Sequence, residues 1–156
     1  MPVLELEWNV VLVASETTDY RRLAIVHTRK EDHFLEIGCD FGTLVDSVDA
    51  ASSLGVDKSE ESILGAQQRY PNRHFMVGDV FDESDLDRIN ATITATVSSS
   101  SEKQPLVVAI DINGNRELPA VLRCIQLAMD TWSPRLVIVK SRELYAVMMP
   151  QNGRSQ

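Results

Sequence analysis

Between residues 33 and 140 short apolar runs alternate with stretches of helical period, and this alternation constrains the fold more than any other feature of the chain. A strand buried on both faces reads as a nearly continuous apolar run, and a crossover helix has to follow it before the next parallel strand. His33 to Ile37, Leu54 to Asp57, His74 to Asp79, Leu106 to Asp111 and Leu136 to Lys140 read as five such strands. Between them, Phe41, Leu44, Val45, Val48 and Ala51 recur at helical spacing until Ser52-Ser53. Ser59 is placed to cap a second helix that runs through Glu60, Ile63, Leu64 and Tyr70 to a stop at Pro71. The acids Asp82 to Asp85 open a third, with Leu86, Ile89, Ile93 and Val97 on its apolar side, and a fourth spans about Leu118 to Asp130. The expectation is an α/β fold with a mostly parallel sheet between two layers of helices.

The flanks are less regular. Leu4 to Ala14 reads as one strand, and Asp19 to Val26 fits a helix started by Thr18 better than a second strand. Ser98 to Ser101, before Pro105, read as a surface loop, Arg142 to Met149 as at most a short helix, and Gln151 to Gln156 as a loose end. At 156 residues the chain has the size of one domain with one core. Its formal charge of −8 repels phosphate backbones and argues against nonspecific nucleic-acid binding through a basic face. Cys39 and Cys124 belong to no metal-binding or redox spacing, His27, His33 and His74 show no ligand spacing, and the longest apolar run, Val10 to Ala14, is too short for a bilayer. These features lead to an expectation of a cytoplasmic chain without a membrane partner or a leader peptide.

In a sheet of this kind ligands bind beyond the carboxyl ends of the strands, so the residues just past each strand are the informative ones. They are Gly38-Cys39-Asp40-Phe41-Gly42, Asp57-Lys58, Asp79-Val80, Asp111-Ile112 and Lys140. Gly38 and Gly42 allow a sharp turn and a close approach to a ligand. Asp57, an acid at the end of the next strand and 15 residues after Gly42, is placed to accept two ribose hydroxyls. The pair points to a nucleoside-shaped ligand. The loop lacks the GxGxxG spacing of dinucleotide-binding proteins, which argues against NAD.

Over roughly residues 33 to 140 the chain resembles the class I (Rossmann-like) S-adenosylmethionine-dependent methyltransferases. Leu35-Glu36-Ile37-Gly38-Cys39-Asp40-Phe41-Gly42 is similar to their first motif, with Asp40 at the middle glycine; Gly55 to Ser59 is similar to the second, and Val77 to Val80 to the third. The resemblance implies a three-layer fold with S-adenosyl-L-methionine as cofactor and a single domain: an N-terminal strand and helix extension (1–32), a cofactor-binding core (33–140) and a short tail (141–156). It implies Asp57 on the ribose, Lys58 beside the adenine, Asp79 near the adenine amino group and Val80 against the ring. Glu36, Gly38 and Asp111 are implied at the methionine end, with Cys39, Asp40, Gly42 and Ile112 completing the cofactor set. Asp111 and Lys140, at the ends of neighbouring strands, are the candidates to hold or deprotonate an acceptor.

Family members usually continue past the fifth strand into a helix and an antiparallel strand pair; after Lys140 this chain is expected to supply at most a short helix, Arg142 to Met149, and not the strand pair. Either the N-terminal strand or another subunit, a second copy of the chain included, then covers the open edge. The acceptor stays open between small molecule, RNA and protein. An Asp after the fourth strand and a Lys after the fifth also resemble part of the Lys-Asp-Lys-Glu set of RNA ribose 2′-O-methyltransferases, with Lys30 or Arg22 as the counterpart of the first Lys. A non-catalytic cofactor-binding or partner subunit, and a plain scaffold, are the other readings. Asp57 and Asp79 also fit simple strand-end and turn-capping roles, Cys39 a small residue in a tight loop, Arg116 a surface position, and Trp8 and Trp132 packing.

Overall fold

A computed structural model describes residues 3–6, 9–97, 106–112 and 117–149. The loop expected at Ser98 to Ser101, the tail after Pro150, Arg116 and Trp8 lie outside the described residues. In chain order the elements are β1 (Val3–Leu6), β2 (Asn9–Ala14), α1 (Thr17–His27), β3 (His33–Ile37), α2 (Thr43–Ser47), β4 (Ser52–Asp57) and α3 (Glu60–Arg69). They continue with β5 (His74–Val77), α4 (Glu83–Val97), β6 (Leu106–Ile110), α5 (Leu118–Trp132), β7 (Leu136–Lys140) and α6 (Arg142–Met148).

The strands form one sheet in the order β1-β2-β7-β6-β3-β4-β5, parallel throughout except for β1, which runs antiparallel to β2. Helices α1, α2 and α3 pack on one face through Tyr20, Ala24, Leu44, Val45, Ile63 and Ala66. Helices α4, α5 and α6 cover the other face through Ile89, Val121, Cys124, Ala128 and Leu144. Alternate residues of β6 and β7 supply the two cores: Val108, Ile110, Val137 and Val139 to one, Val107, Ala109, Leu136 and Ile138 to the other. This is the doubly wound, Rossmann-like α/β fold, and the winding reverses between β3 and β6.

The register decides where the strand ends fall. Ile37 lies level with Val56 on one side and Ile110 on the other, and Ile110 lies level with Val139. Gly38, Asp57, Asp111 and Lys140 therefore emerge along one edge of the sheet. Two cross-strand bonds fix the row, from the Gly38 amide to the Val56 carbonyl at 2.8 Å and from the Asp111 amide to the Ile37 carbonyl at 2.9 Å.

Several expectations change. Leu4 to Ala14 is two strands, not one, and they run in opposite directions with Leu6 opposite Asn9. The apolar run alone carries no mark of that reversal. The helix after β3 is confined to Thr43–Ser47. Val48 is already extended, and the Ala51 amide is taken by the Asp32 carbonyl at 2.8 Å, which leads Ser52 and Ser53 into β4 beside His33 and Phe34. Gly78 and Asp79 lie beyond β5, and α5 runs to Trp132, two residues past Asp130. The edge beside β7 is filled by β2 from the chain's own N-terminal segment. Among the described residues no helix is long and apolar enough to cross a membrane.

Candidate functional site

The loop after β3 is left-handed at three alternate positions, Gly38 (φ 82°), Asp40 (φ 48°) and Gly42 (φ 85°). A Cβ at Gly38 would sit 2.0 Å from the Asp111 carbonyl oxygen, so no other residue fits without moving β6. At Gly42 it would run into the Phe75 ring at 2.6 Å. Aspartate enters the left-handed region more readily than most residues, which lets Asp40 keep the backbone path that a glycine would take.

Asp57 laces this loop to the next strand. Its Oδ2 accepts from the Asp40 amide at 3.0 Å and its Oδ1 from the Ser59 amide at 2.9 Å. A carboxylate oxygen carries two lone pairs, so each retains one acceptor position. The Asp40 carboxylate in turn accepts from the Ser62 hydroxyl at 3.1 Å, and the Ser59 hydroxyl caps α3 as its position in the sequence predicts.

Two adjoining cavities open along the strand ends, and Gly38, Asp57 and Asp111 line both. The smaller, about 80 Å³, is bounded further by Lys58, Asp79, Val80 and Ile112. Asp79 also shapes its own turn, accepting from the Phe81 amide at 3.0 Å. The larger, about 400 Å³, takes in Glu36, Cys39, Asp40 and Lys140, together with Thr17, Tyr20 and Arg21 of α1 and Ser62 of α3. Of the residues that the resemblance assigns to the cofactor or the acceptor, Gly42 lines neither cavity; it shapes the loop from behind.

Glu36 is buried, 3% exposed, and its Oε1 accepts from the Tyr20 hydroxyl at 3.0 Å, while Oε2 has no hydrogen-bond partner. Burial pushes its carboxyl up to about 8; the Tyr20 hydrogen bond opposes this and the nearby Asp111 adds to it. Lys140 Nζ lies 3.9 Å from Asp111 Oδ1, with both side chains largely buried. Burial also pushes the Cys39 thiol far above its ordinary range, and Cys39 fills the space left by the missing side chain of Gly55. That environment suits a packing residue and not a nucleophile.

Lys30 and Arg22 do not reach the site. Lys30 lies 3.9 Å from Asp49 and Arg22 2.7 Å from Asp19, and neither lines the two cavities. Arg21 is the cation that α1 supplies. Tyr20, Arg21 and Ser62 were not singled out in the sequence. Tyr20 carried a usable signal, since it shares a helical face with Ala24 and a buried tyrosine hydroxyl needs a partner.

A third and roomier cavity, about 710 Å³, lies at the opposite ends of the strands, against His33, Ser52, His74 and Leu106, and none of the candidate cofactor or acceptor residues lines it. The carboxyl ends are where helix starts offer free amides and where the winding reverses, which makes them the candidate site. The charge there also restricts the ligand. With Glu36 held neutral by its burial, Asp40, Asp57 and Asp111 still outnumber Arg21 and Lys140, and an acid inside the turn itself repels pyrophosphate.

No protein-family model matches the chain, and no curated protein matches it. Among solved structures it is similar to PKMT2 from Rickettsia typhi in complex with AdoHcy, at 16% identity and a TM-score of 0.48. The match covers 82% of this chain and 26% of that one, so the chain spans about a quarter of that protein's length.

Proposed function

We propose that the chain binds S-adenosyl-L-methionine along the carboxyl edge of the sheet and acts as a methyltransferase. The observation that carries this reading is the loop from Gly38 to Gly42, left-handed at three positions and laced through Asp57 to the end of β4. The cradle that a Cβ would fill at Gly38, the unpartnered buried oxygen of Glu36 and the net negative lining all suit a nucleoside that carries a sulfonium and an ammonium group.

In this reading the remaining acceptor positions of Asp57 take the ribose hydroxyls. Lys58, Asp79, Val80 and Ile112 bound the base, with the Asp79 carboxylate toward its amino group and Val80 toward its ring. Glu36, Gly38 and Asp111 surround the amino-acid end, and the backbone of Cys39, Asp40 and Gly42 shapes the turn. S-adenosylmethionine supplies a methyl group already activated on a sulfonium sulfur, so the chain has only to bind, align and exclude water. Asp111 and Lys140, paired at 3.9 Å at the rim, are placed to hold the acceptor and receive its proton where it has one.

Calorimetric titration with S-adenosylhomocysteine tests the reading. Micromolar binding is expected, weakened about tenfold or more by Asp57→Ala, a loss of about 1.4 kcal/mol or more. No heat at millimolar ligand contradicts it. A screen of RNA, protein and small-molecule acceptors then follows, with transfer expected to vanish in Asp111→Ala. Tight binding with no transfer to any acceptor assigns the chain instead as a non-catalytic cofactor-binding subunit.

A further inference from the structure

Tyr20 belongs to α1, in the N-terminal segment outside the region of family resemblance, yet its side chain is 1% exposed and ends on Glu36. Its hydroxyl donates to Oε1, so the proton of a neutral Glu36 resides on Oε2, the oxygen with no other partner. The groups gathered around this carboxyl come from every neighbouring element. They are Tyr20 and Arg21 from α1, Cys39 and Asp40 from the loop, Asp57 at the end of β4, Asp111 after β6 and Lys140 at the end of β7. Before a ligand enters, burial and the acids Asp111 and Asp57 oppose ionisation. A cation brought into this cavity reverses the balance, because its field acts through a poorly screened space. The Tyr20 hydroxyl, already in place, then stabilises the charged carboxylate.

We propose that Tyr20 and Glu36 form a proton-linked charge sensor: Glu36 releases a proton to solvent as the cationic end of the ligand enters, and Tyr20 is the positioning residue that holds the resulting carboxylate. The inference rests on the reading of the cleft as a site for S-adenosylmethionine. The exchange balances as neutral Glu36 plus cationic ligand giving carboxylate, bound cation and one proton taken up by buffer. No bond of the ligand changes.

The test is calorimetric titration in two buffers of different ionisation enthalpy, with two probes: S-adenosylmethionine, and 5′-methylthioadenosine, a neutral thioether of the same nucleoside that lacks both the sulfonium charge and the amino-acid end. At pH 7 close to one proton is expected to be released per S-adenosylmethionine bound and none per 5′-methylthioadenosine. Affinity for the charged probe is expected to rise about tenfold per pH unit between pH 6 and 8, and to be flat in Glu36→Gln. Tyr20→Phe is expected to weaken the charged probe about tenfold at pH 7, to move its pH profile upward and to leave 5′-methylthioadenosine unchanged. Equal weakening of both probes with an unmoved profile would reduce Tyr20 to a support for α1 and overturn its part of the proposal. Binding of S-adenosylmethionine without proton release overturns the sensor while leaving the cofactor reading intact; failure of both probes to bind removes the cofactor reading itself.

Discussion

Glu36 carries its carboxyl at about 8 in the folded chain against an ordinary value of 4.5. In the window between those values the folded state holds a proton that the unfolded chain has lost. The contribution is fully present below about 4.5 and is lost as pH rises through about 8, at about 1.4 kcal/mol per pH unit. Glu36→Gln keeps an acceptor for Tyr20 and removes the titration. The ligand-free wild type is therefore expected to lose thermal stability from pH 6 to pH 8.5, and the variant to lose much less, as read by the unfolding midpoint; parallel declines would show that Glu36 does not govern the slope. The residues just past the strands were legible because the signals are local. A glycine at each end of a turn and an acid at the next strand end do not depend on what packs nearby. Asp40, which departs from the family pattern, keeps the same backbone region with φ 48°. The pairing of Tyr20 with Glu36 was not legible, because it depends on where α1 lands on the sheet.

The elements are tied at their amino ends by a buried ion pair that no motif announces. Asp32, wholly buried just before β3, accepts from Arg135 Nε at 3.0 Å and from a second Arg135 nitrogen, as well as from the Arg29 amide at 2.7 Å. Arg135 also donates to the His27 carbonyl at 2.8 Å, so one guanidinium joins the end of α1, the start of β3 and the entry to β7. Removing one partner of such a pair leaves the other charge unpaired. Asp32→Ala is expected to cost about 3 kcal/mol in denaturant unfolding, with the slope unchanged; a change under about 1 kcal/mol would show that water replaces the pair. The five core strands and their crossover helices were legible from periodicity, since each buries a continuous run or a stripe. The start of β4 was hidden by Ser52 and Ser53, whose place in the sheet follows from their neighbours His33 and Phe34 and not from their own preference. The division of the N-terminal run into β1 and β2, and the seating of β2 beside β7, are likewise set by the partner strand.

Across the molecule, the sheet order puts the winding reversal between β3 and β6, and the shared register brings the ends of five parallel strands level around it. The N-terminal segment completes this arrangement twice, closing the β7 edge with β2 and walling the larger cavity with α1. An acidic chain thereby gathers four of its acids in one cleft, a lining that disfavours phosphate. The roomier cavity at the amino ends of the strands offers a different place for a small molecule, away from the site proposed for the ligand. A crystal structure of the chain with saturating S-adenosylhomocysteine decides between them. The ligand is expected along the carboxyl edge, with its ribose hydroxyls in hydrogen-bond contact with Asp57 and its base against Val80. Ligand beside His33 and Ser52 at the opposite edge, or none bound at saturation, would contradict it.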